Sequence, residues 1–280
     1  MYRPKSRVSF CVAACALLLV ASSPVSAQSD LAKEINSLPW VVFPSVGNIG
    51  TVARINLTDD LRFLDDVNTR RFLELNGNPP RNNNFTLAPR ALSWFAVFSF
   101  DRSGYVRDDE RLDPDGLLKS LKEQNAASIE ERRRLKLPIL RLEGWAVSPH
   151  YDTETRRLEW GTRLLGDRGD VVVNYTIRIL GRSGVMSAVL VSDPHDLDID
   201  VKQFKTALRG FDFVQGERYT EFRQGDRVAQ YGLAALIVGG AAAAAAKSGA
   251  LKGLVKIIGI VVIGGLAAIG GFFAKLFRRS

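Results

Sequence analysis

The chain has 280 residues, with 38 Lys and Arg against 30 Asp and Glu, two His, two Cys and a formal net charge of +8. A chain of this length is long enough to form one or two domains, each with an ordinary hydrophobic core, so the protein is neither a miniprotein nor a fibrous repeat protein. With 24% charged and 46% hydrophobic residues, the composition also excludes wholesale disorder.

The N-terminus has the pattern of a secretory signal peptide. Three basic residues precede an apolar run over residues 8–21, and small residues lead up to Ala27. A bilayer span needs about 20 apolar residues, so this run is short for one. We therefore predict that residues 1–27 are a cleaved signal, with an uncleaved membrane helix as the alternative.

Both cysteines, Cys11 and Cys15, fall inside this signal. The mature chain is then expected to contain no cysteine. This excludes disulfides, thiol nucleophiles and cysteine-ligated metals from the exported part, which must be stabilised by an apolar core.

The first half of the exported region, residues 28–227, gives loose element signals. Within residues 47–57, β-branched residues alternate loosely with other residues, which predicts a strand. Residues 59–76 have a polar and amphipathic pattern, which predicts a helix. The next loop contains Gly, Pro and Asn. Residues 92–100 are aromatic and β-branched, which predicts a buried strand.

A capped helix is predicted next. Asp113 has the residue type of an N-cap, and Pro114 suits the first helical position. The helix is expected to run to about Lys136.

Four strands are predicted after Pro138, joined by short Gly-containing turns, which indicates an antiparallel meander. In the third, Asn174, Thr176 and Arg178 share one face and apolar side chains the other. A final amphipathic helix over residues 196–209 is expected to cover the sheet. The predicted fold class is α+β, an antiparallel meander sheet covered by helices. The four predicted strands are residues 139–148, 157–165, 171–180 and 184–192.

Two uncharged segments near the C-terminus, residues 228–246 and 257–274, are each long enough to span a bilayer. They predict a membrane anchor over residues 228–280 in the form of a transmembrane helical hairpin. A single span at residues 257–274 is the alternative. The linker over residues 247–256 and the C-terminal tail have three basic residues each, so the positive-inside rule does not decide which of them is cytoplasmic. We slightly prefer a cytoplasmic linker.

The positive charge belongs to the two ends of the chain. Nine Lys and Arg residues lie before residue 28 or after residue 227, whereas every Asp and Glu lies between them. The exported domain therefore has a net charge of −1, which removes the basic field that nucleic-acid binding requires.

Aromatic residues are frequent in the predicted meander. Trp145, Tyr151, Trp160 and Tyr175 are near one another in sequence, and they are candidates for a ligand-binding aromatic cleft. The simpler interpretation, which we favour, is that they fill the core of a domain without disulfides.

Catalytic and metal-binding patterns are weak. No Gly-x-Ser-x-Gly elbow accompanies the two histidines, and the acidic stretch at residues 108–116 would place cations at two calcium-ligand positions. We therefore predict no catalytic residue, metal or cofactor. The polar residues to test first are Asp152, beside Tyr151, and Arg182 on its tight turn.

Several short strings occur together and point to one family. This sequence resembles the bacterial membrane-anchored family catalogued as domain of unknown function 2167, over nearly the whole mature chain. The resemblance implies export and a membrane anchor, and it implies no activity. The strings include Gly104-Tyr105-Val106, Gly144-Trp145, Pro149-His150-Tyr151-Asp152, Leu158-Glu159-Trp160, Gly181-Arg182-Ser183-Gly184 and Gly216-Glu217-Arg218-Tyr219.

The leading hypothesis is a non-enzymatic binding or scaffolding module at the bacterial inner membrane, with residues 28–227 on the periplasmic side. Its expected partners are the lipid bilayer, through the two apolar segments, and an envelope protein or a second copy. One alternative is an envelope hydrolase or transferase with a site around His150, Asp152 and Arg182. Another is an oligomeric membrane sensor or channel accessory.

Overall fold

A computed structural model of the protein describes residues 24–76, 78, 80–134, 139–167 and 169–239. Five α-helices and eleven β-strands lie in these ranges. In chain order they are α1 (Pro24–Ser37), β1 (Val41–Val42), β2 (Val46–Ile49), β3 (Ala53–Asn56), β4 (Leu61–Leu64), α2 (Asp66–Leu75), β5 (Asn84–Pro89), β6 (Phe95–Asp101), α3 (Pro114–Arg134), β7 (Leu140–Asp152), β8 (Arg157–Gly166), β9 (Val171–Leu180), β10 (Val185–Ser192), α4 (Leu197–Ala207), β11 (Phe211–Phe213) and α5 (Leu233–Val238).

Eight of the strands form one antiparallel sheet in the order β1-β4-β5-β6-β10-β9-β8-β7. Strands β7 to β10 pair consecutively, so the predicted meander is confirmed. Strand β10 then pairs with β6, which joins the meander to the strands of the first half. The α+β class is confirmed with it.

One face of this sheet is closed by a second, three-stranded sheet, β11-β3-β2, together with α4. The side chains between them form a large aromatic and aliphatic core. Phe98, Tyr175 and Ile177 from the large sheet pack there against Ile55 of β3 and Phe204 of α4. We call this side the first face.

The second face is covered by helices at its two ends. At the β7–β9 end, Leu121 of α3 and Leu236 of α5 pack against Trp160. At the β4–β6 end, Phe72 of α2 packs against Phe95 of β6. The middle of the second face lies between these two apolar clusters, and the candidate site is found there.

Three elements of the first half differ from prediction. Residues 47–57 form the β2–β3 hairpin and not one strand, because Gly50 adopts a φ of +55° and turns the chain. The predicted helix over residues 59–76 is divided, since Leu61–Leu64 joins the sheet and the Asp65 carboxylate caps α2 by accepting from the Asn68 amide at 2.9 Å. No strand was predicted where β5 lies, since Asn84 was assigned to the preceding loop and residues 85–89 to no element.

The predicted membrane segment over residues 228–246 is described only as far as residue 239. Within that part, Leu233, Leu236 and Ile237 are buried in the core of the domain beside α3. Among the described helices, none is long and apolar enough to cross a membrane. The signal segment up to residue 23 and the rest of the predicted hairpin, residues 240–280, lie outside the described residues.

Candidate functional site

A cavity of about 170 Å³ lies in the middle of the second face of the sheet. Strands β5, β6, β10, β9 and β8 form its floor, and α3 and α5 each contribute one apolar side chain to its wall. We call this cavity the cleft. Its polar lining residues on the strands are Asn84, Ser99, Thr162, Asn174, Thr176, Arg178 and Ser187, Arg81 comes from the segment before β5, and its apolar lining residues are Val97, Leu121, Trp160, Val189 and Ile237.

The strand register arranges part of this polar lining in one row. Asn84 lies opposite Ser99, Ser99 opposite Ser187, and Ser187 opposite Arg178. Directly opposed side chains on one face have Cβ atoms about 4.5–5.5 Å apart. Four polar side chains on four adjacent strands therefore cross the floor of the cleft side by side.

Two polar atoms of the cleft are buried without a partner. The Arg178 Nε and the Asn174 Oδ1 make no hydrogen bond to any described residue. Buried polar atoms of native proteins are nearly always hydrogen-bonded, because an unpaired one loses its hydration without compensation. These two atoms are thus available to a polar ligand or to ordered water.

The cleft also has an unbalanced charge. Two of its lining residues, Arg81 and Arg178, are cationic, and none of the described lining residues is acidic. Burial lowers the pKa of Arg81 and lowers the pKa of Arg178 to about 10, so both stay protonated at neutral pH. Asp101 and Tyr231 favour the charged form of Arg178, but neither lines the cleft.

Of the sequence-predicted site residues, Trp160 is part of the cleft, where it is 3% exposed and the Arg178 guanidinium lies 5.8 Å from its ring centre. The Trp145 Nε1 donates to the Pro114 carbonyl at 3.1 Å, outside the cleft. The Tyr151 hydroxyl also lies elsewhere and donates to the Asp108 carboxylate at 2.8 Å. Burial and this acceptor together raise the pKa of Tyr151.

The two polar candidates are engaged in local structure. The Asp152 carboxylate accepts from the Thr155 hydroxyl at 2.7 Å and from the Glu154 amide at 2.8 Å, which lowers the pKa of Asp152. Arg182 donates two bonds of 2.7 Å to Asp226 and holds the pKa of that carboxyl at about 2. Both side chains fasten turns, and neither lines the cleft.

His150, proposed for a hydrolytic site, lies near the buried carboxylate of Glu159. Its Nε2 is 3.5 Å from Glu159 Oε2, which also accepts from the Tyr175 hydroxyl and the Lys205 ammonium, both at 2.5 Å. Tyr175 packs on the first face and Trp160 on the second. The four aromatic residues therefore do not meet in one cleft.

The remaining cleft residues escaped the sequence prediction, although one signal for them was present. The alternation of β9 already separates Asn174, Thr176 and Arg178 from its apolar face. Arg81 and Asn84 had no such signal, because they lie in or at the end of the Gly-, Pro- and Asn-rich stretch that was predicted to be a loop. Within the described part of the chain, no group of three or more His, Cys, Asp or Glu side chains is arranged to hold a metal ion.

A family model described as "Protein of unknown function (DUF2167)" matches residues 45–270. The chain belongs to this family. The match includes every residue that lines the cleft. The resemblance to this family is confirmed, whereas the membrane anchor that it implies stays a prediction, and family membership brings no activity with it.

Among other proteins, no curated sequence matches this chain. Among solved structures, the solution structure of cyanobacterial PsbP (CyanoP) from Synechocystis sp. PCC 6803 is similar at 9% sequence identity, with a TM-score of 0.35. That similarity covers 62% of this chain and 95% of the other.

Proposed function

We propose that this protein is an extracytoplasmic binding module, held at the bacterial inner membrane by its C-terminal apolar segments, and that the cleft is its binding site. The observation that carries this proposal is the polar floor of the cleft, with Arg178 Nε and Asn174 Oδ1 buried and unpartnered among the described residues. Polar groups presented in this way on a concave surface fix the orientation of a bound small molecule.

The contrast within one face of the sheet supports a binding role. At both ends of the second face the strand side chains are apolar and packed under helices. Between these ends, β9 presents Asn174, Thr176 and Arg178. Hydrophobic packing alone would favour apolar residues at these positions, because burying a polar group without a partner costs about 1–3 kcal/mol.

The kinds of side chain in the cleft favour binding over catalysis. Its described lining residues include no Asp, Glu, His, Lys or Cys, the groups that most often transfer protons or act as nucleophiles. Ser99 and Ser187 have no neighbouring base among these lining residues that would activate them. The alternative of a hydrolase or transferase relies instead on His150, Asp152 and Arg182, which lie outside the cleft.

Location and tether are the second part of the proposal. Their support is the signal-like N-terminus and the apolar sequence after Gly239, above all residues 257–274, since Leu233, Leu236 and Ile237 are packed in the core of the domain. Ser93 is exposed, and both native cysteines lie in the predicted signal, so a Ser93→Cys variant offers one reactive thiol. We expect a membrane-impermeant maleimide to label it from outside the cytoplasmic membrane, and labelling only after lysis of that membrane would contradict the proposed side.

The binding role is tested by filling the cleft. Ser99→Phe places an aromatic ring on its floor, whereas Ser93→Phe adds the same ring to an exposed loop and serves as the control. Purified full-length protein is titrated calorimetrically with benzoate, phenyl phosphate, benzamide and benzylamine, and hydrogen exchange is followed on β6, β9 and β10. At least one probe is expected to bind and protect these strands, and Ser99→Phe alone should abolish this. Binding that survives Ser99→Phe, or no binding of any probe, would overturn the assignment.

A further inference from the structure

The charge of the cleft restricts what it can hold. Arg81 precedes β5, and Arg178 lies on β9, with β6 and β10 between them. Neither arginine forms an ion pair with a described residue, and no described lining residue is acidic. Both arginines are partly buried, and Asp101 attracts Arg178 only from outside the cleft, so an anion placed between the two would offset the cost of removing their charge from water.

The donors around this position suit an oxyanion. A guanidinium presents its N–H groups as a planar fork that matches the two oxygens of a carboxylate or phosphate. Between the arginines, the polar row adds the hydroxyl groups of Ser99 and Ser187, which can donate to the same oxygens. The Asn84 amide already donates to the Asn82 carbonyl at 2.8 Å and is less available.

The size and the apolar wall of the cleft limit the rest of the ligand. A cavity of roughly 150 Å³ accommodates benzene, and drug-sized molecules occupy roughly 300 to 1,000 Å³. At about 170 Å³, the cleft fits one charged group and a body no larger than a small ring. Leu121, Trp160 and Ile237 line it with apolar surface that such a body can contact.

Building on the proposed function, we propose that the ligand is a small organic anion whose carboxylate or phosphate group binds between Arg81 and Arg178. Its apolar part lies against the wall formed by Leu121, Trp160 and Ile237. Polymeric anions are too large for this cleft, and the exported domain has no positive field to attract them.

A matched set of ligands tests the charge requirement on the full-length protein. Benzoate, phenyl phosphate, benzamide and benzylamine share one ring and differ in the charge of the attached group. We expect at least one of the two anions to bind ten or more times as tightly as benzamide, and benzylamine not to bind. The tighter anion then distinguishes carboxylate from phosphate recognition. Equal affinity for benzamide, or a preference for benzylamine, would overturn the inference.

Variants test whether the two arginines supply the charge. Arg178→Gln and Arg81→Gln are each expected to weaken the binding of the anion at least tenfold, with benzamide unaffected. Arg209→Gln changes an exposed arginine next to α4 and should leave binding unchanged. Circular dichroism confirms that each variant is folded, and Arg81, which precedes its strand, provides an independent test should the Arg178 variant unfold.

The outcomes separate this inference from the proposed function. Binding of a neutral or cationic probe that Ser99→Phe abolishes would keep the cleft as the binding site and refute the anionic ligand. Anion binding that both arginine variants retain would also refute it. If none of the four probes binds, the proposed function and this inference fail together.

Discussion

Replacing Arg178 with methionine is expected to stabilise the protein while it removes anion binding. Burial lowers the pKa of the guanidinium from 12.5 to about 10, because the buried site disfavours the charged form. At 1.36 kcal/mol for each pH unit, this difference corresponds to about 3 kcal/mol of unfavourable charge burial. Methionine keeps an unbranched apolar stem in the same place.

Some favourable interactions of Arg178 are lost in exchange. The guanidinium lies 5.8 Å from the ring centre of Trp160, a contact worth about 0.5–1 kcal/mol. It is also attracted by Asp101, which lies outside the cleft. The attraction to Asp101 is already contained in the lowered pKa, so subtracting only the contact with Trp160 leaves an expected net gain of about 2 kcal/mol in the free energy of unfolding. A residue that destabilises the unliganded fold in this way is typical of a functional site.

Thermal unfolding of the full-length protein measures this gain. For a domain of this size, 1 kcal/mol shifts Tm by about 2–4 °C, so Arg178→Met should unfold several degrees above the wild type. Arg209→Met is the matched control, because Arg209 is exposed, and it should leave Tm nearly unchanged. A lower Tm for Arg178→Met with an unchanged control would refute the reasoning, since it would mean that the charge is compensated in the fold.

Three further changes test the fold around the site. Burial raises the pKa of Asp200 to about 6, so the native protein should lose up to about 3 kcal/mol of stability as pH rises from about 4 to above 6. Urea unfolding at each pH measures this loss, and Asp200→Asn should remove the pH dependence. Gly184→Ala would place a Cβ 2.0 Å from the Asp101 carbonyl oxygen, which should cost at least about 2 kcal/mol in the same assay. Ending the chain after Arg227 removes the buried side chains of Leu233, Leu236 and Ile237, each worth roughly 1.5–3 kcal/mol, and should abolish the cooperative thermal transition. Ending the chain after Gly239 keeps these side chains and should preserve the transition.

Each of these predictions has a control. Asp198→Asn, an exposed carboxylate on the same helix, should leave the pH dependence of stability intact. Gly144→Ala meets no atom within 4 Å and should cost little. Three results would each contradict the corresponding packing argument. They are stability that rises with pH between 4 and 6, a Gly184→Ala variant as stable as the wild type, and a cooperative transition in the chain that ends after Arg227.

The meander was predictable because its strands have a clear period. Strand β9 alternates apolar and polar residues from Val173 to Ile179, and short Gly-containing turns separate β8, β9 and β10. The start of α3 was equally clear, since the Asp113 carboxylate accepts from the Gly116 amide as an N-terminal cap at 3.2 Å. These signals are local, and local patterns are what a single sequence displays.

Strands β4 and β5 were missed because they do not alternate. All four residues of Leu61–Leu64 and all six of Asn84–Pro89 are buried, so both faces of these strands are covered. A strand without a solvent-facing side lacks the period of two, and Leu61–Leu64 continues directly into the amphipathic pattern of α2. These two segments are strands because they pair with each other in the sheet, an interaction that the local sequence pattern does not show.

The cleft itself required the order of the strands. Ser99 and Ser187 become neighbours only because β6 pairs with β10, although many residues separate them in the chain. The opposite error arose for the aromatic residues, where closeness in sequence suggested one cleft. Trp160 and Tyr175 lie on adjacent strands, yet their side chains emerge on opposite faces. Distance along the sequence therefore predicts neither which residues become neighbours in the sheet nor on which face of the sheet they lie.

The end of the domain connects the cleft to the proposed anchor. Ile237 lines the cleft, and it lies on α5, which packs against α3 only a few residues before the apolar sequence that continues toward the C-terminus. The boundary predicted at residue 227 cuts through this packed unit. An anchor that begins after Gly239 would hold one wall of the cleft in position, because α5 belongs to both. The energy of ligand binding would then depend on how the membrane segment orients that helix.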